Sequence, residues 1–410
     1  MDKFKIIDKG NVCTPKGFRA SGVNGGIKKN NTTKKDVALI VSDKPSRAAG
    51  TYTLNRYAAA PVTVTKEYIK DGILQAVVVN SGNANACTGE KGYLDAKQMA
   101  AITAQNLNLK EQDVAVASTG VIGVNLDMEV MGKAIIKAAS SLSYEGGHDA
   151  AEAIMTTDTC SKEIAIEVDI NGTPVKIGGM AKGSGMIHPN MATMLCFVTT
   201  DAFIDQKLMH TALKEIIDDT FNMVTVDGDT STNDMAVVLA NGMAGNKEIR
   251  DIDDNYKKFY DGLYYVLEAL SIMIAKDGEG ASKLFTVNVL NCTTKKDAKK
   301  IAKSVIQSSL VKTAIFGEDA NWGRIIAAVG YSEAQFDETK VDIYLKSGSM
   351  SIKVAENGAG LVFDEVMAKE ILSKRQVEAV IDMKDGTNSA TAWGCDLTYD
   401  YVKINADYRS

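Results

Sequence analysis

The chain has 410 residues, of which 45% are hydrophobic and 24% charged, a composition typical of a globular protein. The formal net charge is −6 and the sequence carries no block of basic residues, which argues against nucleic acid or an anionic membrane as a partner. No apolar run approaches the ~20 residues of a membrane span. The first residues lack the apolar core of a signal peptide, so we expect a cytoplasmic protein.

The cysteines and histidines restrict the chemistry further. The six cysteines are scattered, without a Cys-x-x-Cys pair, which predicts reduced thiols and neither a zinc site nor a disulfide framework. Of the three histidines, His148 follows Gly-Gly in a polar turn and His210 lies on a predicted amphipathic helix, so only His188 lies beside the loop at 182–195. Because Pro189 follows it, His188 is biased toward an extended conformation. This favours a loop-shaping or substrate-side role over that of a general base, and we predict no metal site.

The first half of the chain alternates apolar runs with amphipathic segments. Residues 1–36 are expected to form loops and short strands. The pattern predicts strands at 37–41, 73–79, 113–117, 162–170 and 173–178, and helices at 93–107, 126–142 and 147–157. The turn at 118–123 reads Ser-Thr-Gly-Val-Ile-Gly. Such a turn can offer a backbone N–H and a hydroxyl to a developing oxyanion, although the motif alone is weakly specific.

The second half begins with a helix at 205–219, capped by Asp205. The polar segment 225–234 is interpreted as a turn that lines an active-site cleft. Further helices are predicted at 251–275, at 294–307 and from the 317–323 turn through 328, and strands at 235–240, 284–290, 311–316, 339–346, 349–355, 376–383 and 389–397. The tail at 401–410 alternates apolar and polar residues and is expected to be ordered. Glu279 lies between two glycines, where the residues alone favour a solvated turn.

The interleaved helices and strands predict an α+β fold, with strand layers sandwiched between helices. The stretch at 182–195 reads Lys-Gly-Ser-Gly-Met-Ile-His-Pro-Asn-Met-Ala-Thr-Met-Leu. It predicts a loop that delivers Thr193 to the first position of a buried strand. A threonine hydroxyl needs a neighbouring base to become a nucleophile, and a chain cut before Thr193 would supply its own α-amino group. Read without any resemblance, the stretch is a Gly-rich turn before a strand.

The string at 182–195 resembles the self-cleavage site of the ornithine acetyltransferases, also called glutamate N-acetyltransferases. The likeness extends over essentially the whole chain and in the same order. The segments that carry it are 80–89, 118–123, 155–159, 178–195, 226–234, 277–283 and 317–324. The resemblance implies a layered αββα sandwich similar to N-terminal-nucleophile hydrolases. It also implies cleavage between Ala192 and Thr193 into an α chain, 1–192, and a β chain, 193–410, which assemble as α2β2.

The same resemblance implies roles for individual residues. Thr193 would be the nucleophile, with Thr119 and Gly120 forming the oxyanion hole. The substrate-binding residues would be Thr156, Lys182, Thr193, Glu279, Asn405 and Ser410. The implied reaction moves acetyl from N2-acetylornithine to glutamate in arginine biosynthesis. It needs no metal or redox cofactor, and some members also use acetyl-CoA.

Charge adds one inference to these roles: Lys182 suits an α-carboxylate and Glu279 suits a δ-ammonium. Two alternatives stay open at this point. The first is a self-cleaving aminopeptidase or amidohydrolase in which water accepts the acyl group. The second is a small-molecule binder whose chain stays intact.

Overall fold

The computed structural model describes residues 4–28, 33–188 and 194–407, and within these ranges the chain forms two mixed β-sheets with helices packed on them. The nine-stranded sheet has the order β1-β6-β7-β8-β10-β3-β4-β5, with β2 paired to β3. Its strands are β1 (Lys5–Ile7), β2 (Phe18–Val23), β3 (Val37–Tyr52), β4 (Ile73–Asn83), β5 (Val114–Val121), β6 (Lys162–Ile170), β7 (Thr173–Lys182), β8 (Leu195–Thr200) and β10 (Met235–Ala240).

The seven-stranded sheet has the order β14-β13-β12-β15-β11-β16-β9. Its strands are β9 (Val224–Thr225), β11 (Leu284–Cys292), β12 (Asp342–Ser347), β13 (Met350–Glu356), β14 (Ala359–Gly360), β15 (Gln376–Asp382) and β16 (Asn388–Cys395). All but β9 come from the last third of the chain. This local pairing agrees with the series of strands that the sequence predicts late in the chain.

The α-helices are α1 (Ala60–Tyr68), α2 (Gly89–Leu107), α3 (Met128–Ser140), α4 (Gly147–Ala153), α5 (Gln206–Asp219), α6 (Asp254–Lys276), α7 (Lys295–Gln307), α8 (Ser309–Phe316), α9 (Trp322–Gly330), α10 (Glu365–Leu372) and α11 (Tyr399–Asp407). Three 3-10 turns lie at Ile69–Asp71, Glu111–Asp113 and Phe221–Met223.

Helix α6 joins the two sheets into one packed unit. The Asp253 carboxylate caps its first turn by accepting hydrogen bonds from the N–H groups of Asn255 and Tyr256. Its buried face repeats at helical spacing through Phe259, Leu263 and Val266, and the helix contacts β6 and β7 of the larger sheet and β11 and β16 of the smaller one. The predicted α+β fold of layered sheets and helices is confirmed.

One local prediction is wrong. The run at 311–316, predicted as a strand, lies within helix α8. The Ser308 hydroxyl caps this helix by accepting from the Val311 N–H, and Val311, Ala314 and Ile315 are buried at helical spacing. Six residues are too few for the spacing of their apolar positions to distinguish a helix from a strand, and the serine cap favours the helix. The tail is ordered as predicted over its described residues and forms a helix at Tyr399–Asp407, whereas the sequence analysis contains no prediction for helix α1.

Strands β7 and β8 place the two predicted chains in one sheet. They pair antiparallel from Ile177↔Thr200 to Lys182↔Leu195, so the segment that contains the predicted cleavage site connects adjacent strand ends. Strand β8 then pairs parallel with β10, from Met235↔Leu195 onward. All six residues of β8 are buried. The predicted buried strand therefore exists, with Leu195 as its first residue.

Candidate active site

A cleft of about 220 Å³ opens where β5 and β7 end, where β8 begins and where the turn before β10 lies. The cleft brings together residues that the sequence analysis takes from five different segments: Thr119, Gly120, Thr156, Lys182, Glu279 and Asn405. The polar segment before β10 lines it too, through Asp227, Asp229 and Ser231 to Asp234, as predicted.

Three predicted site residues, Ala192, Thr193 and Ser410, lie outside the described residues. Their described neighbours are nevertheless informative. Met194, which follows Thr193 in the sequence, lines the cleft together with Leu195. Asn405, in the last helix before Ser410, lines it as well.

The predicted oxyanion turn lies at the end of β5 and has a backbone that requires glycine. Gly120 has φ of 134°, and a Cβ atom there would collide with the backbone of Gly82 and Asn83 on β4. The turn is held from the other side by Asn233, whose Nδ2 donates to the Ser118 carbonyl at 2.8 Å. Thr119 and the Gly120 N–H thus lie on a backbone that is fixed from two directions.

Lys182, the last residue of β7, is a buried cation at the floor of the cleft. It is 7% exposed, and its Nζ lies 3.9 Å from Oδ2 of Asp158. Burial favours the neutral acid, but the charges of Lys182 and Lys162 outweigh it and hold the pKa of Asp158 below its usual range. Asp158 also accepts the N–H of Thr156 at 3.0 Å and that of Gly183 at 2.7 Å, so it positions the cleft backbone as well.

A second buried ion pair connects this floor to the end of α6. Lys162 Nζ lies 2.7 Å from Oδ1 of Asp158 and 2.5 Å from Oδ2 of Asp277. Burial lowers the pKa of Lys162, but the two carboxylates overcome it and the net shift is upward. Two lysines and two aspartates therefore balance in charge. The pairing of opposite charges offsets part of the cost of burying them.

Glu279 is not on a solvated turn, as its neighbouring glycines suggest, but is 7% exposed and lines the cleft. Its carboxylate packs on Gly185, where any Cβ atom would overlap it. Asn405 Nδ2 donates to Glu279 Oε2 at 2.7 Å, and the Glu279 N–H donates to the Ser184 carbonyl at 3.0 Å. The turn is buried because α11 and the loop after β7 close over it.

Asp227 fixes the loop that leads toward the predicted cleavage site. Its carboxylate accepts the N–H of Met186 at 2.7 Å and of Ile187 at 2.9 Å. His188 belongs to the same loop: its carbonyl accepts the Thr230 hydroxyl at 2.8 Å, and its Nδ1 lies 3.1 Å from Thr225 Oγ1. Burial, and secondarily the charge of Lys303, lowers the pKa of His188 to about 4. A neutral, hydrogen-bonded ring fits the loop-shaping role that the sequence predicts.

The sequence analysis does not single out three aspartates: Asp227 and Asp234, which line the cleft, and Asp158, which contacts Lys182 beneath it. Asp158 lies in the 155–159 segment and the other two in 226–234, so both segments were recognised while their carboxylates were not assigned. The signal available was an aspartate among hydroxyl residues, which is common in turns. Only the tertiary structure shows that these three are buried or nearly so.

The described ranges contain no cluster of three or more His, Cys, Asp or Glu side chains that could hold a metal ion. None of the helices in the described part of the chain is both long and apolar enough to cross a membrane. All six cysteines are unpaired.

Known proteins resemble this chain over its whole length. Residues 19–410 match the model of the ArgJ family. The arginine biosynthesis bifunctional protein ArgJ of Caldanaerobacter subterraneus is 55% identical over 407 residues, covering 99% of this chain and 100% of that protein. The corresponding protein of Symbiobacterium thermophilum is 54% identical over 98% of this chain and 99% of its own length.

Solved structures resemble it as well. The crystal structure of the arginine biosynthesis bifunctional protein ArgJ from Bacillus halodurans is 46% identical, with a TM-score of 0.43, and covers 46% of this chain and 98% of that one. The ornithine acetyltransferase of Mycobacterium tuberculosis in complex with ornithine is 38% identical, with a TM-score of 0.44, over 46% of this chain and 100% of that one. With a family model that spans nearly the entire sequence and relatives identical at more than half of its positions, the chain belongs to the ArgJ family.

Proposed function

We propose that this protein is a glutamate N-acetyltransferase of arginine biosynthesis, which moves acetyl from N2-acetylornithine to glutamate. Membership of the ArgJ family supports this acyltransferase activity over the alternative of an aminopeptidase or amidohydrolase. The observation that carries the proposal is the cleft, because residues from five distant segments, each assigned a role by the resemblance, line one small cavity.

The enzyme is proposed to cut its own chain between Ala192 and Thr193. The Thr193 hydroxyl attacks the Ala192 carbonyl carbon, the peptide C–N bond breaks, and the resulting ester is opened by water. The products are chains 1–192 and 193–410. The pairing of β7 with β8 supports this step, because the sheet would hold both pieces together after the cut.

Acetyl transfer then proceeds by double displacement. Thr193 Oγ attacks the acetyl carbonyl of acetylornithine, and the Thr193 α-amino group accepts the hydroxyl proton and passes it to the departing amine of ornithine. Glutamate enters the vacated cleft, and its amine attacks the acetyl ester and regenerates the hydroxyl. In both halves Thr119 and the Gly120 N–H stabilise the oxyanion, a role supported by their fixed position in the cleft.

Opposite charges in the cleft are proposed to orient the amino-acid substrate. Lys182 would bind the α-carboxylate, because it is a buried cation at one side of the cavity. Glu279 would bind the side-chain ammonium, because its buried carboxylate is held by Asn405 alone among the described side chains. Thr156, Asn405 and Ser410 would complete the contacts to the substrate.

The remaining proposals concern the environment of the reaction. The chemistry needs only amine, hydroxyl and carbonyl groups, so we assign no metal or redox cofactor. The curated relatives are named bifunctional, which supports acetyl-CoA as a second acetyl donor for glutamate. Assembly of the two chains as α2β2 and a cytoplasmic location complete the proposal.

The test uses purified full-length protein. A denaturing gel should show two chains in place of one 43.9 kDa band, and Thr193→Ala should remain a single chain. Incubation with acetylornithine alone should leave one acetyl group on Thr193, detected by peptide mass spectrometry, and the two-substrate kinetics should give parallel double-reciprocal lines. Intersecting lines together with an unmodified Thr193 would refute the double displacement. Acetate release that is independent of glutamate would identify a hydrolase.

A further inference from the structure

The charges of the cleft suit one of its two amino-acid substrates better than the other. Among the described residues, four carboxyl groups line the cleft and only one lysine does: Asp227, Asp229, Asp234 and Glu279 against Lys182. This excess of acidic groups attracts the side-chain ammonium of ornithine and repels the side-chain carboxylate of glutamate. Because Lys182 is proposed to bind the α-carboxylate of either substrate, the second carboxylate of glutamate needs another cation.

A second cavity, of about 540 Å³, adjoins the cleft and shares Thr156 with it. We call this cavity the side groove; it lies between the segment that precedes β3 and the turn that follows β5. Its charged lining residues are Lys28, Lys34 and Asp127, so positive groups outnumber negative ones. The side groove is therefore opposite in charge balance to the cleft beside it.

The side chain of Lys28 lies against the strand that supports the oxyanion turn. Gly82 on β4 pairs with Gly120 on β5, and a Cβ atom at Gly82 would lie 2.9 Å from Cγ of Lys28. Neighbouring strands are about 4.7–4.9 Å apart, so one strand separates Lys28 from Gly120. The buried Asp36 carboxylate fixes the backbone here by accepting the N–H of Ile27 at 2.7 Å and that of Lys28 at 3.1 Å.

The ammonium group of Lys28 lies beside the residue that the two cavities share. Its Nζ donates to the carbonyl of Met155 at 2.8 Å and to that of Lys35 at 3.0 Å, and Thr156 follows Met155 directly. An ammonium group has three donors, and within the described ranges these two carbonyls occupy two of them. Both acceptors are uncharged, so neither neutralises the lysine.

Lys28 is a half-buried cation that a bound anion would stabilise. Burial lowers its pKa to about 8; the charges of Asp36 and Asp158 oppose this shift, and those of Lys34 and Lys182 add to it. The influence of Lys182 shows that Lys28 lies within electrostatic range of the floor of the cleft. A carboxylate at the Lys28 ammonium would offset the cost of burying its positive charge.

We propose that Lys28 is a specificity-determining residue whose ammonium group binds the side-chain carboxylate of glutamate. The inference rests on the proposed function, since it concerns the second substrate of the proposed transfer. Both substrates would place the α-carboxylate at Lys182. Rotation about the Cα–Cβ bond then directs the ornithine side chain toward Glu279 and the glutamate side chain past Thr156 to Lys28. One cleft thus accepts side chains of opposite charge in turn.

The test measures the two halves of the transfer separately in the wild type, Lys28→Met and Lys34→Met. Exchange of labelled ornithine into acetylornithine, without glutamate, reports the first half, and kcat/KM for glutamate reports the second. In Lys28→Met, kcat/KM for glutamate should fall roughly 10-fold or more, as for a lost charge-assisted hydrogen bond, while the exchange rate stays close to that of the wild type. Lys34→Met is the matched control, because it removes one positive charge from the side groove without touching Lys28, and it should change neither rate.

Glutamine as the acetyl acceptor provides the complementary measurement, because it has the shape of glutamate without the side-chain charge. The wild type should prefer glutamate, and Lys28→Met should lose most of this preference, since removing either charge breaks the same ion pair. An unchanged preference would overturn the proposal. Equal losses in ornithine exchange and in glutamate transfer would also overturn it, because Lys28 would then act only by holding the Met155 carbonyl beside Thr156.

Two further outcomes have separate meanings. A loss in Lys28→Met that is confined to acetyl-CoA as the acetyl donor would assign the side groove to that donor and overturn the proposal. Wild-type protein that neither exchanges ornithine nor transfers acetyl would refute the proposed function itself.

If Lys28→Met fails to fold, the wild type provides the measurement. Carbamylation of Lys28 by cyanate, followed by peptide mass spectrometry, should be slowed by saturating N-acetylglutamate and not by saturating N2-acetylornithine. These two compounds share the acetyl group and the α-carboxylate and differ in the charge of the side chain. Equal protection by both compounds, or protection by neither, would overturn the proposal.

Discussion

Replacing Gly185 by alanine should disable Glu279 without touching its carboxylate chemically. A Cβ atom at residue 185 would overlap the Glu279 carboxylate, so the side chain must move and lose its 2.7 Å hydrogen bond from Asn405. The backbone of Gly185 does not have a positive φ, so the substitution adds steric conflict without backbone strain. The variant therefore displaces the Glu279 carboxylate and leaves the backbone conformation unchanged.

The size of the effect follows from what Glu279 is proposed to bind. A hydrogen bond to a charged group contributes about 1.5–3 kcal/mol, which corresponds to roughly a 10- to 150-fold loss in kcat/KM for acetylornithine. A substrate that lacks the side-chain amine should lose much less, because it does not use the displaced carboxylate. The assay is the initial rate of transfer with each substrate.

A double-mutant cycle tests whether the Gly185→Ala substitution acts through Glu279. Once Glu279→Ala has removed the carboxylate, adding Gly185→Ala should change kcat/KM by no more than about twofold, since the collision no longer exists. Gly323→Ala in α9 is the matched control, because its Cβ atom would come no closer than 3.5 Å to any neighbour. Equal losses for both substrates, or additive losses in the cycle, would show that Gly185 does not act through Glu279.

Three further predictions concern the oxyanion turn and the buried charges. Thr119→Ala should slow transfer by about 10²–10³-fold in kcat while the fold is retained; a change in KM alone would contradict the assigned role. Lys162→Met should lower the free energy of unfolding in urea by about 3–5 kcal/mol, because two buried carboxylates lose their shared partner. The folded-state pKa of Asp158 lies below the unfolded value of about 3.9, so its pairs stabilise the protein above that pH and the contribution disappears as pH falls through the folded-state pKa. Melting temperatures measured from pH 7 to pH 3 should therefore fall less steeply for Asp158→Asn than for the wild type.

The sequence predicts most helices and strands because the spacing of their apolar residues fits one type of secondary structure and not the other. Helix α6 and the hairpin of β6 and β7 repeat at their own spacings over nine residues or more. Helix α8 was predicted as a strand because eight residues with four buried positions do not separate the two periods. There the capping serine, which the apolar pattern ignores, determines the structure.

For the candidate site, too, the sequence predicts some features and not others. The segments that meet in the cleft were all identified in the sequence, but the burial of individual side chains was not. Glu279 is flanked by glycines, which in sequence indicate exposure, yet Gly185 and Asn405 enclose it. The pairing of Lys162 with Asp277 joins residues that are 115 positions apart, and local pattern carries no information about such contacts.

The predicted cut lies between two paired strands, so cleavage would change how the protein can refold. An intact chain refolds in a unimolecular reaction, because β7 and β8 are joined by one short segment. Once the chain is cut, the same two strands belong to different chains. After complete unfolding they could pair again only by bimolecular association, at a rate that depends on the concentration of both chains in the cell. The mature enzyme would then persist through slow unfolding more than through efficient refolding, so its lifetime would be a kinetic property that the first folding event establishes.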